Sequence, residues 1–207
     1  MIKTLIFDLG NVLVPFDFKR GYAALGPLCG LPAEEIPRRV SNTGLVVEFE
    51  SGRISPQEFF RRFAELLDLR TTYERFCEIW NSVFLPCTLI PENDIRALRG
   101  RYRILLLSNT NALHFAMLRE SYSILAHFDG YVLSHEVGAM KPLPRIYHEA
   151  LARAECRPEE CFYTDDVADY VEGARREGID AVQFQGYENL KAELVKRGIW
   201  PVGRLSQ

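Results

Sequence analysis

An apolar run, Leu5-Ile6-Phe7, ends on the carboxylate of Asp8 and turns at once on Gly10 and Asn11. A carboxylate beside buried apolar chain is costly unless something pairs with it. Asp8 therefore either faces water or has a cationic partner. Three other tracts offer side chains of a suitable kind: Ser108-Asn109-Thr110-Asn111, Lys141-Pro142 and the doublet Asp165-Asp166. Singly, each has an ordinary explanation: Asp after a strand is a common turn or N-cap residue, Ser-Asn-Thr-Asn a common helix start, and Lys is usually solvated. Brought together, the three carboxylates repel one another unless neutralised. A hard divalent cation does this, and Mg²⁺ prefers a few carboxylate oxygens with waters and a substrate phosphate. Lys141 supplies a second positive charge, and the Ser108 hydroxyl with the first amides of a following helix suits an anion.

For these tracts to meet, a sheet must deliver them to one edge. Short apolar runs with β-branched content cover residues 4–9, 102–108, 131–134, 161–164 and 179–184, and the last four alternate with helical patterns. Such alternation demands a parallel sheet with helices on both faces. In open parallel sheets, ligands sit beyond the carboxyl ends of the strands, where strand order reverses. Asp8, Ser108 and Asp165 all stand at such ends, with Lys141 a short loop after the third strand. Helices predicted over 91–99, 167–177 and 189–197 stop at Gly100, Gly178 and Gly198, the expected C-terminal signal, and another covers 144–154.

Between the first two strands the pattern is helical, over 17–28, 32–42, 56–69 and 72–84. Two of these starts read as capping boxes, Ser55 to Glu58 and Thr71 to Glu74. Phe59, Phe63, Leu66 and Leu67 make a helical stripe that reads as core. The predicted fold is thus α/β: a Rossmann-like three-layer parallel-sheet core, residues 1–14 and 86–207, with a four-helix cap, 15–85, inserted after strand one.

The 207 residues suffice for a core domain carrying an insertion. A net charge of −3 with no basic stripe argues against a nucleic-acid partner, and the local cluster Arg38-Arg39 is too short to change that. The N-terminus is apolar only to Val14 and is broken by Asp8, unlike a signal peptide, and no run approaches the ~18 apolar residues of a membrane span. Five scattered cysteines without a C-x-x-C pair read as reduced thiols of a cytoplasmic protein. The chain is separately expected to be a monomer or weak dimer. His114, His127, His135 and His148 lack metal spacing and read as structural or exposed; His135, near the Lys141 loop, is the one to test.

The tracts F-D-L-G-N-V, L-S-N-T-N, K-P-x-P-R-I-Y and D-D, in that order and spanning nearly the whole chain, are similar to the four motifs of the haloacid dehalogenase-like hydrolases. Within that family the chain resembles small bacterial sugar-phosphate phosphatases of the α-glucose-1-phosphatase type. They share F-D-L-G-N-V and a cap segment E-x-G-x-I-S, here Glu50 to Ser55. The resemblance implies a Mg²⁺-dependent phosphomonoesterase whose partner is a small phosphorylated metabolite. It implies that Asp8 is the nucleophile, attacking phosphorus in line to give an aspartyl-phosphate. Mg²⁺ would be held by the Asp8 carboxylate, the Gly10 carbonyl and Asp166, with Asp165 orienting Lys141 or a metal water. Ser108, the Asn109 amide and Lys141 would hold the transferring oxygens. Asn11 could touch substrate, although turn chemistry also accounts for it.

The chain departs from the family pattern twice. Most of its phosphatases place a second Asp two residues after the nucleophile, to protonate the leaving group and later activate water; here that position is Gly10. Such an acid is worth ~10²- to 10⁴-fold. Either the leaving group is acidic enough to do without, as an anomeric hydroxyl is, or the cap supplies a carboxylate. Glu48 and Glu50 lie in the cap segment that would close over the site, unless that segment is a solvated loop. Four residues past Asp166, where the family often has Asn or Asp, stands Tyr170, with Asp169 one earlier. Two other functions match parts of the pattern. A haloalkanoic acid dehalogenase would need no acid at Gly10, but those enzymes lack the acidic pair present here as Asp165-Asp166. A non-catalytic phosphate-ligand protein would have lost the second Asp.

Overall fold

Parallel pairing brings distant apolar runs side by side in a five-stranded sheet ordered β3-β2-β1-β4-β5. The strands are β1 (Thr4–Phe7), β2 (Arg103–Ser108), β3 (Gly130–Leu133), β4 (Cys161–Asp165) and β5 (Asp180–Gln183). This is a computed structural model, and it describes residues 1–200; the end of the predicted core span, 201–207, lies outside the described residues. The chain runs outward from β1 through β2 to β3, then returns to β4 on the other side of β1, so strand order reverses around the central strand. Phe7 lies level with Leu106 of β2 and with Thr164 of β4. The segments leaving β1, β2 and β4 therefore emerge at one rim.

Strand residues alternate between two cores, as the two-residue period of a pleated strand requires. Leu5, Phe7, Ile104 and Leu106 share one cluster with α6 (Glu92–Arg99), α7 (Ala112–Ser121) and α11 (Tyr187–Lys196). Ile6, Leu105, Leu107 and Tyr163 share the other with α9 (Pro144–Ala154) and α10 (Ala168–Arg176). The result is the three-layer sandwich anticipated from the alternating pattern. No helix among the described residues is long and apolar enough to cross a membrane.

After β1 come α1 (Phe18–Cys29), α2 (Glu35–Ser41), α3 (Leu45–Glu50), α4 (Pro56–Leu67) and α5 (Tyr73–Asn81), which pack around an apolar cluster of their own. Phe49 of α3 stacks on Phe59 of α4 with ring centroids 4.2 Å apart, and Phe63, Phe76 and Trp80 surround that pair. Ser55 caps α4 by accepting from the Glu58 amide at 3.1 Å. The cap of α5 is Thr72 rather than Thr71, its hydroxyl accepting from the Arg75 amide at 3.2 Å.

The insertion thus holds five helices where the sequence pattern predicts four. The extra one, α3, is six residues long, contains β-branched Val46 and Val47, and forms because Leu45 and Phe49, one turn apart, both bury in the cap core. Beyond α3 the chain presses on the short helix α8 (Ser134–Val137) that comes after β3. Gly52 (φ +68°) makes that approach possible, since a Cβ there would lie 2.0 Å from the His135 carbonyl oxygen.

Candidate active site

The rim at the ends of β1, β2 and β4 collects the chemically active tracts. Asp8 comes directly after β1, its amide donating to the Thr164 carbonyl at 3.0 Å, so sheet pairing with β4 fixes where its carboxylate starts. Lys141 reaches in from the loop after α8, and its side chain is fully buried. Its Nζ donates to Asp8 Oδ1 at 2.7 Å, Asp165 Oδ2 at 2.6 Å, and the Leu107 carbonyl and Tyr163 hydroxyl, both at 3.2 Å. Asn109 aims it: the Asn109 amide group donates to the Lys141 carbonyl at 3.1 Å and its oxygen accepts from the Lys141 amide at 2.8 Å. Tyr170 lies alongside, with Lys141 Nζ 5.0 Å from the ring centroid.

The two acids of the doublet divide their tasks. Asp165 is wholly buried and saturated; one oxygen accepts from Lys141 and from the Tyr163 hydroxyl, the other from the Val167 amide at 2.9 Å. It anchors Lys141 and has little left with which to hold an ion. Asp166 is half-buried, and among the described residues its Oδ2 receives only a 3.4 Å contact from the Asn11 amide group. Asn11 also accepts from the Phe16 amide at 3.4 Å and adopts a left-handed turn conformation (φ +53°). It is not among the residues that wall the cavity, and its contacts are to Asp166 and to its own turn.

Charge balance tests the fit to a metal. Carboxylate oxygens of Asp8, Asp165 and Asp166 lie within 4.8 Å of one another, and Lys141 is the single cation paired with them among the described residues. Burial raises the Asp8 carboxyl above its ordinary value against the pull of the Lys141 ammonium, and Asp165 adds to the rise. Asp166 is raised by burial and then by Asp165. Lys141 is held above its ordinary value, because attraction to Asp8 and Asp165 outweighs the burial that would lower it. Three acids against one ammonium leave a negative surplus, and the free donors are all hard oxygens, as a Mg²⁺-like dication requires.

Beside Asp8 opens a cavity of about 250 Å³, walled in part by Gly10, Phe16, Glu50, Ser108 and Asp166. Among the described residues the Ser108 hydroxyl has only a 3.5 Å contact to the Asn109 carbonyl, which leaves it available to a ligand. The two cap glutamates part company. Glu50 lines the cavity, whereas Glu48 is held by Arg62 through two contacts of 2.7 and 3.2 Å, which lowers its pKa. The structure thus places Glu48 away from the cavity wall, with its carboxylate paired to the Arg62 guanidinium of α4. The space of a side chain at position 10 is also taken, because a Cβ on Gly10 would lie 2.6 Å from the Phe16 ring. That ring packs against Phe18 and Phe84 at centroid distances of 4.9 and 5.9 Å.

His114 borders the cavity but both its nitrogens are engaged, one 3.0 Å from the Trp80 carbonyl and the other 3.1 Å from the Asn111 amide group. Burial pushes it down to about 4, so it is neutral. His135 binds the Thr110 carbonyl at 3.1 Å. Sequence reasoning missed Tyr163 and Tyr170. The first had a signal, since a residue two before Asp165 on one strand must share its face; the second stands out in the sequence only as a departure from a motif.

A family model described as haloacid dehalogenase-like hydrolase matches residues 2–178. The chain is 26% identical over 200 residues to a D-ribitol-5-phosphate phosphatase of Bacteroides thetaiotaomicron, covering 94% of this chain and 97% of the relative. It is 28% identical over 192 residues to a phosphatase of Mycobacterium tuberculosis, covering 87% and 86%. Among solved structures, a HAD family enzyme from Bacteroides thetaiotaomicron in complex with magnesium and inorganic phosphate superposes with a TM-score of 0.79 at 26% identity, over 88% of this chain and 94% of that one. A HAD-like hydrolase from Porphyromonas gingivalis gives 0.82 at 26% identity, over 95% and 98%.

Proposed function

The chain belongs to the haloacid dehalogenase-like hydrolases, and on that premise we propose that it is a Mg²⁺-dependent phosphomonoesterase acting on a small, sugar-like phosphate through an aspartyl-phosphate. The observation that carries this reading is the cluster of Asp8, Asp165 and Asp166 at the strand-order reversal, compensated among the described residues by Lys141 alone. The relatives' names and the magnesium and phosphate held by a similar enzyme support it.

Each group has its own task. Asp8 presents a carboxylate oxygen to phosphorus. Lys141 and the Ser108 hydroxyl face the transferring oxygens and stabilise their charge where water is excluded. Asp165 and Tyr163 keep Lys141 on target, and Asn11 steadies Asp166. Asp8, Asp166 and the Gly10 carbonyl are the groups that would hold Mg²⁺, which when bound offsets the repulsion between an anionic nucleophile and an anionic substrate. Residues 15–85 act as a cap over the site, and a cavity of about 250 Å³ limits the substrate to a small one. The partner is a small phosphorylated metabolite of the cytoplasm, and the chain works as a monomer or weak dimer.

The test is phosphate release from a panel of sugar and polyol phosphates and 4-nitrophenyl phosphate, with Mg²⁺ and with chelator, alongside chloride release from 2-chloropropionate. Release of phosphate that requires both Mg²⁺ and Asp8, lost in Asp8→Asn, is the expected result. Halide release in chelator makes the protein a dehalogenase, and silence in both assays makes it a binding protein; either sinks the proposal.

A further inference from the structure

A phosphatase of this design needs a proton for the departing alkoxide, and position 10 cannot supply it. Gly10 has no side chain, and the Phe16 ring occupies the space one would need. Resting on the phosphatase reading above, we infer that Glu50, delivered by the cap, is the general acid and base of this enzyme.

Three observations carry the assignment. Glu50 is the last residue of α3 and lines the same cavity as Asp8, Ser108 and Asp166. Among the described residues its carboxyl has no hydrogen-bond or ion-pair partner, so it is free to address a ligand, unlike Glu48. Its position is set by the core as well as the cap: Phe49 is locked into the aromatic cluster, and the close contact of Gly52 with the His135 carbonyl pins the chain two residues on. A group held from both sides is placed well enough for proton transfer.

The other groups on the cavity wall are spoken for. His114 has both nitrogens bonded and is neutral, Lys141 is held charged by two carboxylates, and burial raises the Tyr170 hydroxyl further above neutrality. Burial brings Glu50 to about 7, where both protonation states are populated near neutral pH, as an acid that must also act as a base requires.

In the first half-reaction an Asp8 carboxylate oxygen bonds to phosphorus. The bond from phosphorus to the ester oxygen breaks, and its electron pair stays on that oxygen. The oxygen takes the proton of Glu50, leaving a free alcohol and a Glu50 carboxylate. In the second, water gives a proton to Glu50 as its oxygen bonds to phosphorus. The bond between phosphorus and the Asp8 oxygen then breaks, restoring the Asp8 carboxylate, the protonated Glu50 and free phosphate.

The experiment compares wild type with Glu50→Gln in pre-steady-state kinetics with substrate in excess, using the best sugar or polyol phosphate of the panel and 4-nitrophenyl phosphate, whose leaving group needs no proton. Glu50→Gln is expected to slow cleavage of the sugar or polyol phosphate by ~10²- to 10⁴-fold and of the nitrophenyl ester far less. With the nitrophenyl ester it should also release a burst of nitrophenolate equal to the enzyme, while mass analysis of acid-quenched samples detects phosphorylated protein, because water attack has lost its base. Equal losses on both esters without a burst, or no loss, overturn the inference while leaving the phosphatase reading intact. Wild-type silence across the panel sinks both. A second readout needs no variant: in wild type, kcat/KM across aryl and alkyl phosphates should vary little with leaving-group acidity. A steep dependence would show that no proton is supplied.

Discussion

Lys141→Met keeps the aliphatic stem of the buried lysine and deletes the charge that Asp8 and Asp165 share. The ammonium donates to both carboxylates, at 2.7 and 2.6 Å, and its side chain is 1% exposed. Breaking a buried ion pair by removing one partner costs about 3–5 kcal/mol. Because one cation here serves two acids, the loss should fall in the upper half of that range, unless Asp8 escapes by taking up a proton. For a chain of this length 1 kcal/mol moves the melting temperature by about 2–4 °C, so a drop of about 8–20 °C is expected. Urea unfolding and thermal melts at pH 7 measure it. The deficit should shrink in saturating Mg²⁺, which binds the folded state and restores charge balance. It should also shrink on acidification, because the uncompensated acids in the folded variant bind protons more readily than in the unfolded chain. Adding Asp165→Asn should recover part of the loss, since the two substitutions act on one network and do not add. A variant within about 1 kcal/mol of wild type, indifferent to Mg²⁺ and pH, would refute the charge accounting on which the site rests.

Gly10→Asp, which would restore the family's usual acid, should instead destabilise by about 1–3 kcal/mol through overpacking against Phe16; adding Phe16→Ala should cost less than the sum of the two single changes, and urea unfolding reads both. Glu48→Gln should leave turnover and KM unchanged on every substrate, because its carboxylate faces Arg62 and not the cavity; a steady-state comparison with Glu50→Gln checks this. His114 is held neutral by burial at about 4 against an unfolded value near 6.5, so its contribution is complete above pH ~6.5 and is lost as pH falls toward 4, by about 3 kcal/mol. His114→Gln should flatten that stretch of the stability profile, and an unchanged slope would mean that the ring is not held neutral.

Most of the sheet rim was legible because its logic is local. Asp8, Ser108 and Asp165 each close a short β-branched run, and a parallel sheet must bring such ends level, as Phe7, Leu106 and Thr164 are. Grouping Lys141 with them came from charge, as three acids in one place need cations. What could not be read was set by packing over long separation. The Phe16 ring on Gly10 is invisible as a pattern, since nothing in six residues of spacing says that the turn folds an aromatic back over its own glycine. The saturation of Asp165, which separates it from Asp166, depends on Tyr163 and Val167 and on no motif.

The cap carboxylates show the same limit in its sharpest form. Six residues after Gly44 are too few to display a helical period, and read as a loop they leave Glu48 and Glu50 equivalent. Burial of Leu45 and Phe49 in the cap core makes the segment a helix, and residues two apart on a helix stand about 200° apart around its axis. One acid must then turn toward α4 and find Arg62 if the other is to look into the cavity. The aromatic packing of the cap, far from any reacting atom, thus decides which of two identical side chains can reach the substrate.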